Sequence, residues 1–113
     1  MAQSLAEHGI LSPQTTTVTV STAGTRVQLT TSTSARAQAF CIQNPSTNSG
    51  VIYYGDVTVS STNGIELYPG DKEYFNCDNT KYGARVFRPS DFYIDSNVSG
   101  TIARLFIMSE ATS

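Results

Sequence analysis

The sequence predicts an all-β domain, an antiparallel β-sandwich or jelly-roll-like small barrel of about eight strands, with an extended N-terminal arm. Three observations carry this. Short β-prone runs recur between residues 16 and 108 at the spacing of roughly 8–12 residues such folds use. Each run is cut by residues that favour tight turns: Gly55-Asp56, Asn63-Gly64, Pro69-Gly70-Asp71 and Pro89-Ser90-Asp91. Only 14% of the residues are charged, which leaves few Lys and Glu for helix surfaces. Thr, Val, Tyr and Ile instead suit a pleated, half-buried surface.

The chain divides into an arm at 1–15, a sandwich domain at 16–108 and a short tail at 109–113. The arm starts with Ser4-Leu5-Ala6-Glu7, which can cap one helical turn, and Gly9 and Pro13 stop anything longer. Leu5, Ile10 and Leu11 are apolar with no evident place in a sandwich core. The arm therefore either frays or docks on a neighbouring subunit. Residues 16–21 alternate, with Val18 and Val20 on one face and Thr17 and Thr19 on the other. Residues 25–31 alternate again, with Val27 and Leu29 inward. The Ala23-Gly24 turn between them predicts a hairpin.

Residues 36–44 form a longer strand-like run. Ala37, Ala39 and Cys41 share one face, and Phe40 and Ile42 the other. Apolar residues on both faces predict a central strand covered on two sides, which Pro45 then ends. Residues 51–54, 57–59, 65–68 and 73–75 read as further short strands. Ile52 and Tyr54 share one face, and Val51 and Tyr53 the other, while Ile65 and Leu67 point inward. Val86 and Phe87 belong to a strand, and residues 92–95 to another. Residues 101–108, apolar on both faces, are the last and a central one.

At 113 residues the chain is one domain by size. A net charge of −2 argues against a broad electrostatic grip on nucleic acid, which needs a basic face. No secretory leader pattern opens the sequence, and no run approaches the roughly 20 apolar residues of a membrane span. The expected location is the cytoplasm or a particle assembled there.

No catalytic constellation stands out. His8 is the single histidine and falls in the arm, so no Ser-His-Asp set can be assembled. Cys41 and Cys77 are too few for a zinc site, and both are expected as free thiols. Asp91 and Asp95 are near enough in sequence to share a calcium ion, but Asp56, Asp71, Asp91 and Asp95 all sit in or beside turns. Local hydrogen bonding explains Asp there. No catalytic residue, cofactor or metal is assigned. Six tyrosines remain, which could stack on sugars or nucleobases but better suit core and interface roles.

The segments Asn44-Pro45, Asn48-Ser49-Gly50-Val51-Ile52-Tyr53-Tyr54-Gly55 and Val59-Ser60-Ser61-Thr62-Asn63-Gly64-Ile65-Glu66-Leu67-Tyr68-Pro69-Gly70-Asp71 carry a resemblance. Ser90-Asp91-Phe92-Tyr93-Ile94-Asp95, Gly100 and Arg104-Leu105-Phe106-Ile107 extend it. Together they resemble small β-sandwich virion proteins of tailed bacteriophages, over residues 36–108. The resemblance implies a capsid decoration (cement) or head-fibre role, commonly as a homotrimer. The partners would be the major capsid protein and other copies of the chain, on the capsid surface of the virion. Leu5, Ile10 and Leu11 of the arm, with Tyr53 and Tyr82, are the candidate partner-binding residues. The alternative is a tail or head-fibre module that attaches to host-surface carbohydrate through Tyr53 and Tyr82.

Overall fold

Alternation along the chain becomes burial in the folded protein. On the 37–43 run, Phe40 and Ile42 are 1% and 0% exposed, and on the 52–55 run Ile52 and Tyr54 turn into the same core. A computed structural model describes residues 10–31, 37–76 and 87–111. Eight strands follow one another: β1 (Ile10–Val20), β2 (Val27–Gln28), β3 (Ala37–Gln43), β4 (Ile52–Gly55), β5 (Ile65–Leu67), β6 (Lys72–Asn76), β7 (Tyr93–Ser96) and β8 (Thr101–Ala111). A 3₁₀ turn at Pro89–Asp91 precedes β7.

The strands form two antiparallel four-stranded sheets, ordered β1-β8-β3-β6 and β2-β7-β4-β5. The pairing is nested: first with last, second with seventh, third with sixth, fourth with fifth. This is the jelly-roll order, two Greek keys wrapped over one another. β3 and β8 are interior strands, as their two apolar faces predict.

Between the sheets lie Val20, Leu29, Phe40, Ile42, Ile52, Leu67, Ile94 and Leu105. Phe40 is the hub of an aromatic cluster. Its ring stacks on Phe75 at 4.7 Å and meets the edges of Phe92 at 4.9 Å and Phe87 at 5.2 Å. Such offset and edge contacts add roughly 0.5–1.5 kcal/mol per pair beyond area burial.

Four expectations are corrected. The predicted β1–β2 hairpin does not form, because the two strands lie in different sheets. Gly24, at φ +87°, turns the chain across the sandwich. Its N–H donates to Asp95 Oδ1 at 3.0 Å, and the Ala23 N–H to Ser99 Oγ at 2.9 Å. The corner is thus fastened to the β7–β8 turn rather than closing on itself.

The second correction concerns the bounds of the first and last strands, expected at 16–21 and 101–108. β1 begins at Ile10 and β8 runs to Ala111, so residues 10–15 of the predicted arm and 109–111 of the predicted tail carry strand backbone. Pro13 does not stop β1, since an edge strand tolerates a residue without an N–H.

Third, residues 57–59 form a turn and not a strand. Thr58 N–H donates to Asp56 Oδ1 at 2.8 Å, and Asn63 Nδ2 to Thr58 O at 3.1 Å. These side-chain bonds replace a ladder. Val59 is buried within the loop, so close to Gly64 that a Cβ there would stand 2.7 Å from Val59 Cγ2. Finally, Ile65 lies on edge strand β5 and is 55% exposed, whereas Leu67 is buried as expected.

Candidate functional site

The outer face of the β1-β8-β3-β6 sheet assembles side chains from four distant parts of the chain. Alternate residues of a strand share a face, and register aligns them across strands. One row runs Thr17, Arg104, Gln43, Lys72, and the next runs Thr15, Phe106, Cys41, Tyr74. The two rows line a groove of about 380 Å³.

Cys41 forms the floor and is buried. Burial pushes its thiol above the ordinary value, with the nearby Lys72 ammonium pulling the other way, so at neutral pH it stays protonated. Tyr74 stands at the opposite extreme, 63% exposed, with Lys72 Nζ 6.0 Å from its ring centroid. That arrangement is a cation–π contact at the outer limit of range. Among the described residues no acidic side chain lines the groove, and the one ion pair is Arg88 with Asp91, at 4.0 Å. Among the described residues Arg104 and Lys72 are therefore cations without an ion-pair partner.

A second surface adjoins the first. β1 ends its sheet, and among the described residues no strand pairs with its outer side. It is 11 residues long and carries no charged side chain from Ile10 to Val20. The opposite edge, β6, carries Lys72 and Glu73.

The predicted site residues are not gathered in one place. Ile10 and Leu11 lie in β1, in register with Ala111 and Glu110. Leu5 and Tyr82 lie outside the described residues. So do His8 and Cys77. Tyr53 was expected as an exposed ring but is 6% exposed, covered on the outer side of the second sheet. It lies in register with Glu66 and Asp95, between β5 and β7.

Asp56, Asp71 and Asp95 each accept backbone N–H groups. Asp71 Oδ2 accepts the Tyr68 N–H at 3.0 Å, and Asp95 Oδ1 accepts the Ser96 N–H at 2.7 Å as well as that of Gly24. Among the described residues no group of three or more His, Cys, Asp or Glu is placed to hold a metal ion.

The groove residues escaped the sequence reading, although a signal existed. The pairs 15/17, 41/43, 72/74 and 104/106 each lie on the strand face opposite the core residues. What was missing was the register that brings the four pairs side by side. Comparison with protein-family models, with curated proteins and with solved structures returns no match for the chain.

Proposed function

We propose that this is a structural protein of a phage particle, a capsid decoration (cement) protein that staples neighbouring major capsid subunits and associates with itself as a trimer. It would sit on the capsid surface of the virion, joining particles assembled in the host cytoplasm. The observation that supports this reading most is the outer edge of β1. A long, uncharged edge strand is a template for pairing with another chain, and proteins that remain alone blunt such edges with charges, prolines, bulges or brevity. Here a single proline interrupts it. A neighbour that adds a strand to β1 satisfies its outward N–H and C=O groups, and many modest contacts on one particle sum through multivalency. The resemblance of residues 36–108 to phage virion proteins points the same way.

The test is direct. Purified protein is added to expanded capsids that lack it, and co-sedimentation and the disruption temperature of the particles are followed. The expected result is saturable binding, a raised disruption temperature, and an oligomer for the free protein by light scattering. A strict monomer without capsid affinity would refute the reading.

A further inference from the structure

We propose that the groove on the outer face of the β1-β8-β3-β6 sheet is a binding site for a short oligosaccharide bearing a carboxylate. The inference goes beyond the capsid role and does not depend on it, since it rests on the groove rather than on the edge of β1.

Charge selects the ligand's sign. Among the described residues no acidic side chain lines the groove that Arg104 and Lys72 flank, and neither is held in an ion pair. An arginine fork matches a carboxylate in two parallel hydrogen bonds, and Lys72 adds a point charge beside it. The two residues stand on strands separated by β3, roughly 10 Å apart by strand spacing. A ligand that engages both must therefore extend across the sheet. The volume of about 380 Å³ falls within the range of small-ligand sites, roughly 300–1,000 Å³.

The remaining chemistry selects a saccharide over an acidic peptide. An extended peptide binds a sheet by main-chain hydrogen bonds at an edge. The centre of this groove lies over β8 and β3, which are paired on both sides, so their main-chain groups already serve the ladders. The polar groups that remain stand up from the sheet as side chains: the hydroxyls of Thr15 and Thr17 and the amide of Gln43. A partner rich in hydroxyls matches these. Beside them, the exposed Tyr74 ring offers a flat face for the C–H side of a sugar, held near the Lys72 ammonium.

The experiment is an amide NMR titration of the full chain with a galacturonate trisaccharide and with sialylated lactose. Lactose serves as the neutral control, and a Glu-rich peptide and inorganic phosphate as the other anions. Shifts are expected on β6 and β8, with affinity falling as salt rises. Lactose should bind about tenfold more weakly or worse, the factor one charge-assisted hydrogen bond supplies. Arg104→Gln and Tyr74→Ala should each weaken binding by about the same factor without moving the melting temperature, because both side chains project from the sheet. The proposal is overturned if neither acidic saccharide binds, or if lactose binds as well as they do. Equal binding by the peptide or by phosphate overturns it too, as does unchanged affinity in Arg104→Gln.

Discussion

Asn44 shows how much one side chain can hold together. It is fully buried, and its Nδ2 donates to Gly50 O at 2.9 Å and to Leu67 O at 2.8 Å. Its Oδ1 accepts from Asn48 Nδ2 at 2.8 Å, which also donates to Ile102 O at 2.7 Å. The knot ties the end of β3 to the loop before β4, to β5 and to β8. Asn44→Ala leaves two carbonyls without their donor, and the expected loss is roughly 2–4 kcal/mol, read from urea denaturation. Tyr54 makes a pH prediction. Burial raises its hydroxyl above 10, and the Glu73 carboxylate adds to the shift by its charge and by accepting the hydroxyl's hydrogen bond. The folded state therefore favours the neutral phenol. That contribution is complete below pH 10 and is lost as pH rises through the folded value. Wild type should lose melting temperature faster than Tyr54→Phe above pH 10 in a thermal scan, because the variant has no phenol to ionise.

At the scale of elements, β1 carries the sharpest test. Thr19 is exposed and paired with Ile102, outside the groove. Thr19→Lys places a charge on the free edge, the device that keeps natural edge strands from pairing. The expected outcome is an unchanged circular-dichroism spectrum with self-association weakened about tenfold, as desolvating one unpaired cation at a contact would require. Light scattering across a concentration series measures it.

The strands themselves were legible where hydrophobic alternation is local. Phe40 and Ile42 against Ala39 and Cys41, or Ile52 and Tyr54 against Tyr53, reveal both strand and inward face. Residues 57–59 misled because Val57 and Val59 alternate like a strand, while Asp56, Thr58 and Asn63 offer the backbone competing bonds. Ala23-Gly24 misled because its partners, Asp95 and Ser99, lie more than 70 residues on. A turn whose bonds are that remote looks, in sequence, like any hairpin turn.

For the whole molecule, nested pairing has a kinetic cost. β1 cannot find β8, nor β2 find β7, until most of the chain between them has been drawn in. Chains dominated by such remote pairings pay loop-closure entropy before contacts compensate it. Stopped-flow refolding should show time constants on the order of milliseconds to seconds, with no microsecond phase that recovers native tyrosine fluorescence. The same nesting hid the groove. Thr15, Cys41, Tyr74 and Phe106 become neighbours only once the sheet order exists, and no local pattern encodes that order.

The β1–β8 ladder also has a direction under tension. Ile10 is in register with Ala111, and Val20 with Thr101, so positions 10 and 111 sit at the same extremity of the ribbon. A pull that separates those two positions opens the rungs one after another, like a zip, and needs little force. A pull from position 10 against the far end of the sandwich loads all the rungs together and meets much greater resistance.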